Sequence, residues 1–110
     1  MIGRFVEEEN PVEIRAQIKE IFFLSSRRGN VLTGVAREQF FGSWAGYYLD
    51  NIPDQTLLFK TPSCGIAGYL TGCFNSLAAH PLYHDLFYYQ AFDKWYKQYP
   101  AHFHVNCHPN

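Results

Sequence analysis

Hydrophobic and polar positions alternate with a helical period in the first part of this chain. Four apolar residues share the spacing of one helical face: Ile14, Ile18, Ile21 and Phe22. Asn10 and Pro11 are residue types that begin helices, because asparagine caps free N–H groups and proline lacks the donor that the first turn would leave unpaired. Arg27, Arg28 and Gly29 are types that end helices. The pattern predicts a first helix over residues 11 to 28.

Two further segments carry the same helical spacing. In the first, apolar residues lie three, four and seven positions apart: Phe41, Trp44, Ala45 and Tyr48. This predicts a second helix over residues 35 to 49, ended by the polar and proline-containing stretch 50 to 54. In the other, the repeating positions are Leu82, Leu86, Tyr89 and Phe92. We predict a third helix over residues 82 to 98, which Pro100 ends.

Three segments have an extended pattern instead. Residues 56 to 60 and 66 to 72 are short and apolar, and the turn-forming residues 61 to 65 separate them, which predicts a β-hairpin. Residues 101 to 108 alternate strictly. The apolar members of that alternation share one face: Ala101, Phe103, Val105 and Cys107. The last segment is therefore predicted to be a half-buried strand.

The composition supports one folded domain. The chain has 110 residues, of which 47% are apolar and 17% charged, with a formal net charge of −1. This balance excludes intrinsic disorder and broad binding to nucleic acid, and it favours a small molecule or a protein as the partner. The order of elements, with an extended start, is β-α-α-β-β-α-β. We predict an α+β fold with a single domain over residues 1 to 110.

Cysteine content and the absence of targeting signals bear on the compartment. Three cysteines, Cys64, Cys73 and Cys107, are an odd number without the spacing of a disulfide scaffold or a zinc ribbon. There is no signal peptide and no apolar run of the roughly 20 residues that a membrane span needs. We expect a soluble, cytoplasmic protein with reduced thiols and no membrane partner.

Two stretches resemble a bacterial branch of the GNAT (acyl-CoA N-acyltransferase) superfamily. The first is Gly68-Tyr69-Leu70-Thr71-Gly72, and the second and more specific is the stretch from Tyr99 to Pro109, which reads YPAHFHVNCHP. In that family they are the third and fourth strands of an α/β/α fold with a mixed, mostly antiparallel sheet. The two N-terminal helices and the hairpin occur in the family's order. The resemblance implies that the chain is the N-terminal portion of an N-acetyltransferase domain, a partial GNAT fold.

The resemblance also implies a cofactor and its binding residues. Members transfer an acetyl group from acetyl-CoA to an amine, and the backbone of the fourth strand binds the pantetheine arm. On this chain that assigns cofactor binding to Val105, Asn106, Cys107 and His108. A pyrophosphate-binding loop follows the fourth strand in the family, and here the sequence stops at Pro109-Asn110. We therefore expect weak or no binding of acetyl-CoA, and an incomplete or inactive enzyme.

Alternation places His102, His104, Asn106 and His108 on the side of the last strand opposite its apolar residues. The acceptor site of the family opens beside this strand, so His102 and His104 are the candidate catalytic bases. Three imidazoles on one face also suggest a metal site. Neighbours on one strand face are about 7 Å apart, however, and no carboxylate adjoins them, so we assign no metal ligand. Histidines held in place by hydrogen bonds are the remaining interpretation.

A different class of function also fits the sequence. An apolar last strand at the edge of a sheet, together with exposed aromatic side chains, would pair with another chain. In that case the protein is a non-catalytic module that associates with itself or with a partner. Under either hypothesis we expect a homo-oligomer that forms through the exposed C-terminal strand.

Overall fold

A four-stranded sheet organises the fold. The computed structural model describes residues 1–27, 29–63, 65–75, 95 and 97–109. The strands are β1 (Ile2–Arg4), β2 (Leu57–Lys60), β3 (Ile66–Cys73) and β4 (His102–Cys107). Their order in the sheet is β1-β2-β3-β4 and each neighbouring pair is antiparallel. The α+β class and the predicted hairpin are confirmed, and no parallel pairing occurs among these four strands.

Helix α1 spans Pro11–Leu24 and begins where the sequence predicts. The side-chain oxygen of Asn10 accepts a hydrogen bond from the N–H of Glu13 at 3.3 Å, and Pro11 occupies the first helical position. The predicted end at residue 28 is wrong. Ser25 closes the helix. Its hydroxyl donates to the carbonyls of Ile21 at 2.7 Å and Phe22 at 3.3 Å, and the N–H of Ser26 bonds to the Phe23 carbonyl instead of the Phe22 carbonyl that a further turn needs. Gly29 instead begins a short 3-10 helix, Gly29–Val31.

The second predicted helix is present but is irregular at its centre. Helix α2 (Gly34–Phe41) and helix α3 (Tyr47–Asn51) are joined by a π-helical segment, Gly42–Gly46. A side chain at position 46 would lie 3.2 Å from the guanidinium of Arg15. Gly46 therefore lets α1 and this helical segment approach closely. Arg15 in turn forms an ion pair with Asp50 of α3 at 2.6 Å.

The core lies between the helices and one face of the sheet. Helix α1 supplies five buried residues, Ile14, Ile18, Ile21, Phe22 and Phe23. From the sheet, Leu58 and Tyr69 project into the same layer and are 0% and 1% exposed. The aromatic rings of this layer pack edge to face or tilted, with the centroids of Phe22 and Phe41 separated by 5.4 Å. Burial of this apolar face is what holds the helices on the sheet.

Strand β4 turns its polar face toward the helices, whereas its apolar pattern suggests that the apolar face would be buried. The polar residues His102, His104 and Asn106 are partly buried against the helices, whereas Phe103 and Val105 are 65% and 45% exposed. The register explains this, since His104 lies opposite Thr71 and Asn106 opposite Tyr69, which both face the helices. Alternation predicted the two faces correctly, but it does not indicate which of them meets the core.

Most of the third predicted helix, residues 82 to 98, lies outside the described residues. Of that range, Trp95 lies in a 3-10 turn and Lys97 and Gln98 in a turn that precedes β4. None of the described helices has the length and apolar content that a bilayer-spanning helix needs.

Candidate functional site

A groove lies between the C-terminal end of α1, the helical segment from α2 to the π-helix, and strand β4. Its volume is about 410 Å³, within the range of roughly 300 to 1,000 Å³ that is typical of small-molecule sites. Three aromatic side chains, Phe22, Phe40 and Trp44, form one wall. His104 and Asn106 of β4 face them, and Ser25 and Ser26 lie at the end of α1. The groove therefore combines aromatic ring surface with several polar groups.

His102 is held by a tyrosine of the helical layer. Its Nε2 lies 2.8 Å from the hydroxyl of Tyr48, a residue that is fully buried. Burial and, to a smaller extent, the neighbouring His104 together lower the pKa of His102 to about 4. The imidazole is consequently neutral at pH 7. The hydroxyl of Tyr48 then either donates to Nε2 or accepts from it, according to the tautomer of the ring.

His104 lies deeper in the groove, between aromatic rings. Its centroid is 5.4 Å from that of Trp44 and 5.9 Å from that of Tyr48, both in edge-to-face geometry. Burial lowers the pKa of His104 as well. Of the two predicted bases, His104 is the one that lines the groove, while His102 lies beside it at a centroid distance of 6.3 Å.

Asn106 is held in place by Tyr69 of the neighbouring strand β3. The amide nitrogen of Asn106 donates to the Tyr69 hydroxyl at 2.8 Å. Burial raises the pKa of Tyr69 to about 12, although the hydrogen bond from Asn106 opposes this rise. The phenol is thus neutral under ordinary conditions. The amide nitrogen therefore points to Tyr69, and the carbonyl oxygen of Asn106 accepts no hydrogen bond from a described residue.

The backbone of β4 has one open edge within the described sheet. The N–H of His108 donates to the carbonyl of Ala67 at 2.7 Å, and in an antiparallel ladder such bonded pairs alternate with non-bonded ones. The register then directs the backbone groups of Asn106 and His108 toward β3. Those of Val105 and Cys107 point away from β3. Of the four residues assigned to cofactor binding, only these two present edge N–H and C=O groups.

The buried cysteine of the sheet, Cys73, is not an activated nucleophile. Cys73 is 5% exposed, its thiol donates to the Asn75 carbonyl at 2.9 Å, and burial raises its pKa. Cys107 is exposed on the other face of the sheet. Cys64 lies outside the described residues. A thiol in the neutral form is a weak nucleophile, so Cys73 does not have the features of a catalytic cysteine.

Sequence reasoning identified the β4 side of the groove and missed its partners. Trp44, Tyr48 and Tyr69 position the three polar side chains of the strand. In the sequence they fit the spacing of ordinary core residues, so no local signal distinguishes them. Their role depends on how the π-helical segment, α3 and β3 meet β4, which is a tertiary property.

Among the described residues there is no cluster of three or more histidine, cysteine, aspartate or glutamate side chains able to hold a metal ion. His80, His84 and Asp85, near the start of the third predicted helix, lie outside the described residues. No protein-family model, curated protein or solved structure matches this chain.

Proposed function

We propose that this chain is the N-terminal portion of a GNAT-type N-acyltransferase that transfers an acetyl group from acetyl-CoA to an amine. The observation that carries the proposal is the juxtaposition at β4. The inner face of this strand brings His104 and Asn106 into a groove of about 410 Å³, and the backbone of Val105 and Cys107 is open at its edge. An acceptor in the groove and a thioester along the edge would meet at this strand.

The reaction requires a neutral amine, a polarised thioester and a route for one proton. The amine nitrogen forms a bond to the acetyl carbon while the carbon–sulfur bond breaks, and CoA leaves as the thiolate. The nitrogen loses one proton, and the thiolate gains one. His104 is neutral at pH 7 because burial lowers its pKa, so it is able to accept the proton from nitrogen and pass it to solvent or to the thiolate. An edge N–H of β4 would polarise the thioester carbonyl.

The proposal includes a cytoplasmic location. It also includes a partner, the acceptor amine, which is a small molecule or a peptide. Cys73 and Cys107 are free thiols, as is usual in a reducing compartment. The resemblance of the β3 and β4 sequences to the GNAT pattern supports the choice of acetyl-CoA.

Calorimetry tests the proposal. Acetyl-CoA is titrated into this chain and into a version that is extended after Asn110 by a pyrophosphate-binding loop and its helix. We expect binding in the extended version, because the loop supplies backbone N–H donors and a helix N-terminus for the phosphates. If the extended version also fails to bind, the acyltransferase proposal is wrong.

A pair of variants of the extended version locates the cofactor. Val105→Pro removes an N–H that points away from β3, so it should weaken acetyl-CoA binding while the β3–β4 ladder is retained. Val105→Ala keeps the N–H and serves as the matched control. Equal affinities for the two variants would show that the edge of β4 does not bind the pantetheine arm.

A second candidate is a non-catalytic module that associates with itself. The specific observation in its favour is the exposure of Phe103 and Val105, at 65% and 45%, on an edge strand. An apolar edge strand is a template for pairing with another chain. This candidate predicts a homo-oligomer formed through β4 and requires no acetyl-CoA.

A further inference from the structure

Two threonine hydroxyls lie in the interior of the fold without a hydrogen bond. Thr56 and Thr71 are both 0% exposed, and within the described part of the chain neither Oγ1 atom has a hydrogen-bond partner. Burial of an unpaired hydroxyl costs free energy, because the group loses its bonds to water and gains none in the protein. Buried polar groups in folded proteins therefore nearly always have a partner, which is often an internal water molecule.

The two threonines are direct neighbours across strands β2 and β3. In the register of these strands Leu57 lies opposite Leu70. One further step along both strands places Thr56 opposite Thr71. The Thr56 carbonyl accepts from the N–H of Phe5, so the backbone of Thr56 points to β1 rather than to β3. The two threonines therefore form a non-hydrogen-bonded pair of the ladder, in which the Cα atoms are only about 4.5 Å apart and the side chains are closest.

The threonine pair is shorter than the pair beside it. Leu58 and Tyr69 are the next inward-facing residues across β2 and β3, and both are buried in the core. Their side chains extend further from the sheet than those of Thr56 and Thr71. This difference in length lowers the inner surface of the sheet at the threonines. A small polar molecule that lies there, between the sheet and the helices, contacts both hydroxyls.

The third member of the same row is His104. It lies opposite Thr71 in the register of β3 and β4, and its ring faces the helical layer beside Trp44 and Tyr48. Thr71 and His104 are a hydrogen-bonded pair of the ladder, with Cα atoms about 5.5 Å apart. A bridging water joins polar atoms about 5 Å apart, since each of its hydrogen bonds is about 2.8 Å long. One water is therefore sufficient to connect the threonines with the imidazole.

We propose that Thr56 and Thr71 bind an internal water molecule that also hydrogen-bonds to the imidazole of His104. The water then has three polar partners, the usual number for a buried one. It satisfies both hydroxyls, and it bonds to one ring nitrogen of His104, which changes the balance between the two tautomers of the ring. Thr56 and Thr71 are thus positioning residues for the candidate base. Such a water site is independent of the proposed acyl transfer.

Valine replacements test whether the two hydroxyls share a partner. Thr71→Val has nearly the shape of the wild type but removes one partner of the water. We expect the unfolding equilibrium constant, measured by urea denaturation, to rise about 5- to 30-fold. Thr56→Val should have a similar effect. The double variant should be little less stable than either single variant, because all three lose the same water.

Two results of this series would contradict a shared water. If either single valine variant is more stable than the wild type, the hydroxyl that it removes is buried without a partner. If the losses of the two single variants add up in the double variant, the hydroxyls have separate partners.

A high-resolution crystal structure separates the water from a direct bond between the hydroxyls, which would give the same coupling. We expect an ordered water within hydrogen-bonding distance of the Oγ1 atoms of Thr56 and Thr71 in the wild type. The same position should contain no ordered water in Thr71→Val. Hydroxyls that bond to each other, with no water between the sheet and the helices, would overturn the inference.

The ring-nitrogen chemical shifts of His104 test the connection to the candidate base. At pH 7 the ring is neutral, because burial lowers the pKa of His104, so the shifts report the ratio of its two tautomers. Thr71→Val should change this ratio. Thr71→Ser keeps a hydroxyl and is the matched control, which should retain the ratio of the wild type. An unchanged ratio in the valine variant, or equal changes in both variants, would show that the water does not bond to His104.

Discussion

Two glycines of β3 allow β4 to approach it closely. A side chain at position 72 would lie 2.7 Å from the carbonyl oxygen of His102 and 3.0 Å from the β-carbon of Phe103. Position 68 is similarly restricted, with the carbonyl oxygen of Asn106 at 2.8 Å. Because His102 and Asn106 belong to the strand that carries the candidate site, these glycines set the position of that site on the sheet.

The substitution Gly72→Ala should destabilise the protein. The added methyl group overlaps backbone atoms of β4, which cannot move aside as a flexible side chain would, so we expect the free energy of unfolding to fall by about 1 to 3 kcal/mol. Urea denaturation measures this change. Gly42→Ala is the matched control, since a methyl group there meets no atom within 4 Å, and it should be neutral or slightly stabilising. Equal effects of both variants would contradict the close approach.

The buried histidines should make the protein sensitive to acid. The pKa of His102 is lowered from 6.5 to about 4 in the folded protein, so between these values the unfolded chain binds more protons than the folded one. Stability is then complete above about pH 6.5 and is lost as the pH falls toward about 4. Solvent screens the partly exposed ring, and we expect a contribution of about 1 to 2 kcal/mol.

Urea denaturation across this pH range checks whether stability falls as the pH falls, and whether His102 is the residue that causes this. His102→Gln keeps a hydrogen-bonding partner for Tyr48 and removes the titration, so its stability should depend less on pH than that of the wild type. Stability that is constant from pH 7 to pH 5 in the wild type would contradict the pKa shift.

At the scale of elements, local signals predict where helices begin better than where they end. Asn10 and Pro11 determine the start of α1 through contacts within its first turn. The end is determined by Ser25, whose hydroxyl competes for the Phe22 carbonyl. Residues 27 to 29, whose types also favour a helix end, come after it and misplace the predicted boundary. The π-helical segment Gly42–Gly46 has no distinct periodic signal either. It depends on packing against α1, where Gly46 meets Arg15.

The N-cap of α1 gives a prediction for this element. Asn10 accepts from the N–H of Glu13, and its amide also donates to the Glu13 carboxylate at 3.0 Å. Asn10→Ala removes both bonds and should lower the free energy of unfolding by about 1 kcal/mol. Asn10→Ser retains an acceptor for the N–H and should lose less. Thermal and urea denaturation of the two variants measure the difference. An alanine variant as stable as the serine variant would show that the cap contributes nothing.

At the scale of the whole molecule, the sheet has one face under the helices and one face with exposed apolar side chains. Ile2 of β1 is 66% exposed and Phe103 of β4 is 65% exposed, and both lie on the outer face according to the strand register. From Ala101 to Cys107 the sequence has no Lys, Arg, Asp or Glu. Charged residues on edge strands commonly prevent pairing between chains, so β4 lacks this protection.

Self-association through β4 follows from this arrangement. We expect the average mass in sedimentation equilibrium to rise with protein concentration. Phe103→Lys should restore the monomer, because it places a charge on the outer face at the edge. Val12→Lys changes another exposed apolar residue, on α1 and away from the sheet edge, and should behave as the wild type. A monomeric wild type, or an equal effect of both variants, would contradict the interface.

The sequence by itself determined the class of fold, the start of α1, the hairpin and the alternation of β4. These features depend on neighbours within a few residues, through caps, turn residues and periodicity. Only the tertiary structure decided which face of β4 meets the core. Both of its faces are regular, and the choice depends on Tyr69 and Thr71 across the register and on Tyr48 and Trp44 above it. The groove is a property of those long-range contacts, so the predicted histidines became a site only when the helices covered them.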